Sequence, residues 1–419
     1  MKKSVLSFCA AMALVFSFFI IPDSAEAVPA FARQTGMSCN TCHYQHFPAL
    51  NQMGRAFKAS GYTMVGGQDM IEADMLSLPV SLNASLVTKI RYKKSDGHDS
   101  GVSSNHGVME FPDEGALIIG GRAGDNVGLL IELQLKDPGS SAWASFKMPF
   151  IYVLESGAMS GATLGITPFT TDAAGASYGH ELLNTGALRM QRVLESRKAI
   201  SAQQYIGTAM EATGVTFSFT QPLYFANLTA WSPEHAETDA NPSLVYLRGA
   251  YMPTVAGWDL AIGFQWWDGD TFGSGASPCA TSSCATEAFA IDAQAQGLVD
   301  IYPVGVYFTY AQAAKSSPTL ENFFNTGTND DKTAVAILGE VGVIPNRLTL
   351  SLAFLLGDTG GVANNEDNAT TLGAVYMLAQ NVQLQANHTF YSGSYYDIPA
   401  NNELAGGDNL TTLMIFAAF

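Results

Sequence analysis

The sequence is short of charge. Of its 419 residues only 14% are charged, whereas soluble domains carry about 25%. Long apolar runs do not replace the missing charge, because beyond the N-terminus no stretch reaches the roughly 18 apolar residues of a membrane-spanning helix. Basic residues are scarcest, with 20 Lys and Arg against 37 Asp and Glu and a net charge of −17. These shortages exclude a helical membrane protein and a nucleic-acid-binding protein.

Glycine and aromatic residues take the place of charge, with 40 Gly, 24 Phe and 16 Tyr. The hydrophobic content of 47% is too high for a disordered chain. Two classes remain, a large soluble β-rich protein and a transmembrane β-barrel.

The first 27 residues have the features of a secretory signal. Lys2 and Lys3 precede an apolar stretch at residues 5–21, and Ala25-Glu26-Ala27 supplies the cleavage pattern. An uncleaved membrane anchor is the alternative. Cleavage after Ala27 would remove Cys9 and place the remaining chain in an oxidising compartment.

The other four cysteines form two pairs in the sequence. Cys279 and Cys284 lie in one short polar loop with no histidine nearby, which favours a local disulfide over free thiols or a metal site. Cys39 and Cys42 lie in a different pattern.

Residues 39–43 read Cys-Asn-Thr-Cys-His, the C-x-x-C-H pattern that attaches c-type haem. The two thiols, about one helical turn apart, can add to the haem vinyl groups. The imidazole of His43 can then bind the iron as the proximal axial ligand. Because the pattern occurs once, we predict one covalent haem c, held by Cys39, Cys42 and His43.

Three other sites could use the same residues. A thioredoxin-like pair would need a βαβ unit, which the N-terminal sequence lacks, and a simple disulfide is also possible. A zinc site could add His46, although the adjacent Cys42 and His43 are difficult to direct at one ion. The histidine directly after the second cysteine, in a secreted chain, favours haem.

Met64 is the favoured distal ligand of the haem iron, with Met53 and His46 as alternatives. His46 lies three residues after His43 on nearly the same helical face, so a propionate or solvent contact suits it better. Both methionines lie far enough along the chain to fold back, and a methionine ligand raises the reduction potential. Either methionine could instead fill space in the core.

Beyond residue 75 apolar residues alternate with polar or small residues, as in residues 127–136, 258–266, 348–354 and 382–387. Such alternation predicts strands with one apolar and one polar face. Short turns are expected at residues 124–126 and 344–346. Longer polar connections are expected near residues 93–114, 170–187, 232–243, 268–287, 313–331, 357–370 and 393–408.

The polar faces of these strands are small and weakly charged, and aromatic residues lie at strand ends, which is typical of a barrel with lipid outside and a polar lumen. The alternation of Leu413 and Ile415 continues to the C-terminal Phe419, and a final strand that ends in Phe is usual in outer-membrane barrels. A buried edge strand that ends in Phe is the alternative. We predict a mainly β fold in which residues 76–419 form a transmembrane antiparallel β-barrel of about 16 strands, with roughly 14 or 18 also compatible. Residues 28–75 form a small helical haem segment that acts as a plug.

The residues around the haem motif carry a further likeness. Residues 29–36 (PAFARQTG) precede the motif, and residues 47–50 (FPAL), 54–58 (GRAFK) and 61–62 (GY) follow it. This segment resembles the outer-membrane monohaem cytochrome–porin fusions, best known from iron-oxidising bacteria, and the rest of the chain resembles them in architecture. The resemblance implies a haem segment that plugs a porin and Fe(II) oxidation outside the cell. Related sequences also occur outside iron oxidisers, so the electron donor does not transfer automatically.

A haem held inside a barrel would help electrons cross a hydrocarbon band roughly 25 Å thick. We therefore expect a protein of the Gram-negative outer membrane, with periplasmic termini, that accepts electrons from extracellular Fe(II) and passes them to a periplasmic electron-carrier cytochrome. Outward transfer to another acceptor remains an alternative, as does a diffusion porin whose haem segment is a plug or sensor. A soluble periplasmic haem enzyme ranks third.

Charged residues near these features are candidates for binding roles. Arg33, Arg55 and Lys58 could pair with haem propionates or pack in the lumen. Acidic pairs in the long connections could attract Fe(II) through oxygen ligands, although a solvated surface is the better explanation for any one pair. The pairs are Asp96 and Asp99, Glu234 and Glu237, Asp268 and Asp270, Asp330 and Asp331, and Glu366 and Asp367.

Overall fold

The computed structural model describes residues 30–74, 76–96, 107–135, 142–157, 159–186, 201–236, 240–272, 279, 282–327, 329–398 and 407–419. The predicted signal segment lies outside these residues. Within the described part of the chain, no helix is long and apolar enough to cross a membrane.

The helices are short and the strands are many. The helices are α1 (Ala30–Thr35), α2 (Cys39–Cys42), α3 (Gln52–Ala59) and α4 (Ala202–Ile206), with 3-10 turns at Gly175–Tyr178 and Ser394–Asp397. The strands are β1 (Met70–Ala73), β2 (Leu76–Pro79), β3 (Ala84–Ser95), β4 (Val108–Gly124), β5 (Val127–Gln134), β6 (Trp143–Lys147), β7 (Phe150–Val153), β8 (Thr163–Thr171), β9 (Ala212–Gln221), β10 (Tyr224–Ser232), β11 (Leu244–Tyr251), β12 (Thr254–Val255), β13 (Trp258–Asp268), β14 (Asp270–Phe272), β15 (Ser283–Ala285), β16 (Ala288–Val299), β17 (Tyr302–Ala313), β18 (Glu321–Asn322), β19 (Lys332–Ile344), β20 (Leu348–Asp358), β21 (Glu366–Ala379), β22 (Val382–Ser392) and β23 (Asn409–Ala418).

The strands close into one antiparallel barrel. In the described residues β6 with β7, and β11 with β12, each form one interrupted strand, so the closed sheet has sixteen strands. The last strand β23 pairs with the first barrel strand β3, and Leu86 and Phe419 exchange backbone hydrogen bonds of 3.0 and 2.9 Å. Closure leaves no sheet edge with unpaired backbone groups, which is the condition for a sheet in lipid. The predicted barrel and its strand number are confirmed.

Burial along the strands is the reverse of that in a soluble protein. On β13, Ile262 is 56% exposed and Phe264 is 47% exposed, while Gln265 between apolar neighbours is fully buried. On β22 the polar side chains of Gln383 and Gln385 are buried in the same way. The apolar face of each strand therefore points outward to lipid, and the polar face points into the lumen.

The two ends of the barrel differ. Tight connections at 125–126, 222–223, 256–257, 300–301, 345–347 and 380–381 lie at one end, here called the short-turn end. The start of β3 and the C-terminal Phe419 lie at this same end, because β3 leaves it and β23 returns to it. The longer connections lie at the opposite end, here called the long-loop end.

Two small sheets lie outside the barrel. Strands β1 and β2 form a separate hairpin, so the barrel wall itself begins at Ala84, slightly later than the predicted boundary. At the long-loop end β14, β15 and β18 form a three-stranded sheet. A disulfide joins Cys279 and Cys284 beside it, with Cα atoms 5.8 Å apart, as the sequence predicted.

A charge on the outward face should be costly if this face meets lipid. Leu352, in the middle of β20, is 40% exposed, and we expect Leu352→Arg to lower the free energy of unfolding in lipid vesicles by about 2–4 kcal/mol. The matched control Val362→Arg, in the connection after β20 where the residue is 83% exposed, should leave it unchanged. Equal unfolding free energies for the two variants in a urea titration would contradict the membrane orientation.

Candidate haem-attachment site

The N-terminal segment lies inside the barrel at its short-turn end. Its contacts reach strands on all sides of the wall, which is possible only if it crosses the lumen. These contacts include Gln34 with Arg122 of β4, Tyr44 with Gly297 of β16, His46 with Glu340 of β19, Phe47 with Phe416 of β23, and Arg55 with Asp259 of β13. Residues 30–62 are here called the plug.

Helix α2 of the plug is a single turn formed by the motif itself. The backbone N–H of His43 donates to the carbonyl of Cys39 at 2.8 Å and closes this turn. Cys39 and Cys42 at its two ends are half-buried free thiols, and burial raises the pKa of both. The spacing predicted for two attachment thiols, one helical turn, is therefore present.

Helix α3 packs directly against this turn. A Cβ at Gly54 would overlap the carbonyl oxygen of Cys42, so only glycine permits this approach. The side chain of Asn51 holds the two helices together, since it accepts from the N–H of Gly54 at 3.0 Å and donates to the carbonyl of Thr41 at 2.9 Å. The motif is thus held by the chain that follows it.

The ring of His43 is arranged as a neutral ligand. Its Nδ1 lies 3.2 Å from the carbonyl oxygen of Ala49, and a carbonyl can only accept, so Nδ1 carries the proton. Burial lowers the pKa of His43 to about 4, which keeps the ring neutral at neutral pH. The remaining nitrogen, Nε2, then has a free lone pair.

Both ring nitrogens of His46 form hydrogen bonds, one of them to the barrel wall. Its Nε2 lies 2.9 Å from the Oε2 of Glu340, and its Nδ1 lies 3.0 Å from the carbonyl of Phe47. Both acceptors require a protonated nitrogen, and the pKa of His46 is raised because Glu340 outweighs the desolvation of the ring. With both nitrogens engaged, His46 has no lone pair to offer a metal, and its role is to anchor the plug.

The basic residues suggested for propionates have other contacts. Arg55 makes two hydrogen bonds of 2.7 Å to the carboxylate of Asp259 on β13, and Arg33 donates to the carbonyl of Ala84. Burial lowers the pKa of Lys58 to about 8, against partial compensation by Glu181. Of the two roles left open by the sequence, lumen packing describes Arg33 and Arg55.

An apolar patch lies on the inner wall next to the motif. The ring of His43 is 5.3 Å from that of Phe47, which stacks at 4.8 Å on Phe416 of β23. Behind Phe416 an apolar patch covers part of the lumen face of β23, β3 and β4, and the Nζ of Lys89 on β3 lies 5.9 Å from the Phe416 ring. The patch consists of Val87, Ala116, Met414, Phe416 and Ala418.

Polar groups beside this patch are buried without partners. The Oε1 of Gln383 and both side-chain polar atoms of Gln385 have no hydrogen-bond partner among the described residues. Gln385 pairs across the sheet with Met414. Buried amides normally have hydrogen-bond partners. These amide groups could therefore form hydrogen bonds with a group bound beside the patch.

Residues 172–186, the first described part of the connection from β8 to β9, fold into the lumen above the plug, and sequence reasoning missed this. Leu182 and Leu183 are buried and pack against Ala59 of the plug and the inner faces of β10, β11 and β13. This stretch is here called the inward loop. The adjacent leucines, in a connection expected to be polar, were the available signal.

A buried ionic cluster holds the inward loop at mid-height. Arg248 of β11 donates to Asp292 of β16 at 2.6 Å and to Glu181 of the loop at 2.9 Å. Thr185 of the loop donates to Asp292 at 2.6 Å. All four residues are buried.

Aromatic residues fill the lumen between the inward loop and the long-loop end. Tyr246 lies 4.9 Å from Trp267, and Trp231 stacks on Phe324 at 6.4 Å. Tyr205 of α4 joins the same buried cluster. The described residues therefore occupy the lumen at three successive levels: plug, inward loop and aromatic cluster.

The methionines of the sequence prediction lie on the plug or just after it. Met53 is half-buried on α3. Met64 is 36% exposed, and its carbonyl accepts from the side chain of Gln34 at 2.7 Å. Met414 of the apolar patch, which sequence reasoning did not consider, is buried on the lumen face of β23.

The acidic pairs lie at the long-loop end where they are described, and Asp99 and Glu237 lie outside the described residues. Asp331 accepts from the side chain of Gln312 at 2.6 Å, and Asp367 accepts from Tyr396 at 2.8 Å. Among the described residues no group of three or more His, Cys, Asp or Glu is placed to hold a metal ion.

Comparison with known proteins gives structural neighbours but no sequence relatives. No protein-family model matches the sequence, and no curated protein is similar to it. The chain is similar to a mutant of the porin of Rh. blastica, with 12% identity, a TM-score of 0.47, and coverage of 81% of this chain and 100% of that chain. It is also similar to OmpT of Vibrio cholerae, with 9% identity, a TM-score of 0.44 and coverage of 84% and 100%. It is similar too to the outer membrane channel DcaP of Acinetobacter baumannii, with 11% identity, a TM-score of 0.46, and coverage of 81% of this chain and 97% of that chain.

In the part that the structure describes, the chain is a closed sixteen-strand antiparallel β-barrel. Its own strand pairing establishes this architecture. The structural neighbours say nothing about the motif at residues 39–43.

If the plug closes the lumen, loosening it should open a path for ions. Breaking one partner of a buried ion pair costs about 3–5 kcal/mol, so we expect the double variant Arg55→Ala with Glu340→Ala to raise ion conductance in planar bilayers well above that of the wild type. Lys315→Ala, in an exposed connection, should conduct like the wild type. A double variant with wild-type conductance would show that these anchors do not hold the lumen closed.

Proposed function

We propose that this barrel carries electrons across the outer membrane through one haem c attached to Cys39 and Cys42. In this proposal electrons from extracellular Fe(II) pass through the haem to a periplasmic electron-carrier cytochrome. The observation that carries the proposal is the placement of His43, an imidazole that follows the two thiols directly and whose Nδ1–H donates to the carbonyl of Ala49 at 3.2 Å.

The residues present fit a covalent haem. The thiols of Cys39 and Cys42 are free, one turn apart on one helix. The alternatives fit less well, because the two thiols are not joined in a disulfide and His46 is bonded to Glu340 rather than turned towards a zinc site.

The inner wall of the barrel next to the motif also supports haem as the bound group. The apolar patch around Phe416 offers a surface on which a porphyrin face can pack. The unpartnered amide of Gln385 offers hydrogen bonds to polar edges of such a group. An apolar patch beside a haem motif favours a flat apolar ligand.

When bound, the haem would supply reversible one-electron chemistry at its iron. The chain's own residues do the rest. His43 offers the lone pair of Nε2, and the carbonyl of Ala49 fixes the tautomer and orientation of the ring. The plug holds these groups against the barrel wall through His46 and Glu340, and the inward loop holds them through Asn184 and Leu50.

The filled lumen favours a conduit over a diffusion porin. A diffusion porin has a water-filled lumen, whereas here the described residues occupy the lumen at three levels. A charged group at mid-height is paired within the lumen, as Arg248 is with Glu181 and Asp292.

The lengths of the connections at the two ends give the proposed orientation of the barrel in the membrane. Outer-membrane barrels have short periplasmic turns and longer extracellular loops, so the short-turn end, with the plug and Phe419, would face the periplasm. The plug would then lie next to the periplasmic carrier. The long-loop end, where the described acidic pairs lie, would meet Fe(II).

The proposal is tested by following haem reduction in the purified full-length protein. Fe(II) should reduce the haem of the wild type, while His43→Ala, which removes the proximal ligand, should retain attached haem through its thiols and lose at least tenfold in the rate of reduction. His388→Ala is the matched control, because that histidine bonds only Thr411 on the barrel wall, and should leave the rate unchanged.

Two results would contradict the proposal at different levels. A wild-type protein without covalent haem would exclude the cofactor. A haem that other reductants reduce but Fe(II) does not would exclude the donor and favour outward transfer to another acceptor.

Met64 remains the proposed distal ligand. If its thioether binds the iron, Met64→Ala should lower the midpoint potential in a spectroelectrochemical titration, because methionine ligation raises the potential. Met53→Ala should leave the potential unchanged. A Met64→Ala protein with the wild-type potential and spectrum would remove Met64 from the site.

A further inference from the structure

The side chain of Asn184, in the inward loop, hydrogen-bonds both the N–H and the carbonyl of one plug residue, Leu50. Its Oδ1 accepts from the N–H of Leu50 at 2.7 Å, and its Nδ2 donates to the carbonyl of Leu50 at 2.9 Å. Asn184 is 1% exposed, so neither bond competes with water. Asn184 therefore bonds both backbone groups of Leu50, and the carbonyl of Leu50 also accepts from the side chain of Gln296 on β16 at 3.1 Å, so the N–H of Leu50 is the group that depends on Asn184.

Leu50 lies next to the motif in space. His43 and Leu50 form an isolated antiparallel bridge. Ala49 is the residue directly before Leu50 in the chain. The carbonyl of Ala49 accepts from the N–H of Tyr44 at 2.8 Å and from the Nδ1 of His43 at 3.2 Å. The clamp on Leu50 thus holds the peptide that precedes it, and that peptide carries the acceptor for the His43 ring.

The inward loop is itself fixed to the barrel wall, so the clamp has a rigid base. The N–H of Asn184 donates to the side chain of Gln294 at 2.9 Å, and Thr185 donates to Asp292 at 2.6 Å. Both acceptors lie on β16. The wall, the loop and the plug therefore form a continuous series of short hydrogen bonds that ends at the ring of His43.

We propose that Asn184 is a positioning residue for the proximal ligand, and that through it the inward loop sets the reduction potential of the haem. This inference rests on the proposed attachment of haem at Cys39 and Cys42. Asn184 touches neither the iron nor the porphyrin in this proposal, and acts on His43 through Leu50 and Ala49.

The direction of the effect follows from the hydrogen bond at Nδ1. A well-placed acceptor makes the imidazole a more basic ligand, and a more basic ligand stabilises the oxidised iron. Without the clamp, the peptide of Ala49 can turn away from the ring and weaken this bond. Loss of Asn184 should therefore raise the midpoint potential.

The test compares variants of the full-length haem protein by spectroelectrochemical titration. For Asn184→Ala we expect the ratio of reduced to oxidised haem at a fixed electrode potential to rise about tenfold, which is about 59 mV for one electron. The control Thr371→Val removes a buried hydrogen bond of 2.8 Å to Thr389 that takes no part in this series, and should leave the midpoint potential at the wild-type value. Hydrogen exchange of the peptide that contains Leu50 should increase in Asn184→Ala alone.

If Asn184→Ala does not assemble, Asn184→Ser keeps a hydroxyl that can make one of the two bonds and should shift the potential in the same direction by a smaller amount. A wild-type potential in whichever Asn184 variant assembles, or an equal shift in Thr371→Val, would overturn the positioning role while leaving the proposed function intact. A wild-type protein without covalent haem would overturn both, and that result is visible in its spectrum before any variant is made.

Discussion

Everything in this structure follows from closing a sheet whose outer surface is apolar. Lipid cannot satisfy backbone groups, so β3 and β23 must pair, and the polar face of every strand must then point inward. The lumen receives side chains such as Gln265 and Asp292, which are fully buried. Buried polar and charged groups are stable only with partners, and the wall cannot provide all of them across so wide a barrel.

The plug and the inward loop provide the missing partners, and in return the wall fixes their positions. Glu340 and Asp259 of the wall are paired by His46 and Arg55 of the plug, and Arg248 is paired by Glu181 of the loop. The plug is therefore part of the folded core rather than a domain tethered beside it. The same contacts that stabilise the barrel hold the motif in one orientation.

The sequence was sufficient for the wall and for the local geometry of the motif, because both depend on neighbours along the chain. Alternation along β13 and β22 shows the two faces, and the spacing of Cys39 and Cys42 shows one helical turn. Contacts between residues distant in sequence could not be found in the same way. The pairing of His46 with Glu340 joins residues 294 positions apart, and nothing in the pattern around either residue indicates the other.

The filled lumen also constrains how the protein is assembled. The backbone of Phe47 accepts a hydrogen bond from Gln383, 336 positions later, so the plug is bound by strands that leave the secretion machinery long after it. Once the wall has closed, the inward loop and the aromatic cluster bar entry from the long-loop end. The plug can therefore be seated only from the short-turn end or during closure, and a cofactor attached to its thiols would enter the lumen by the same route as the plug.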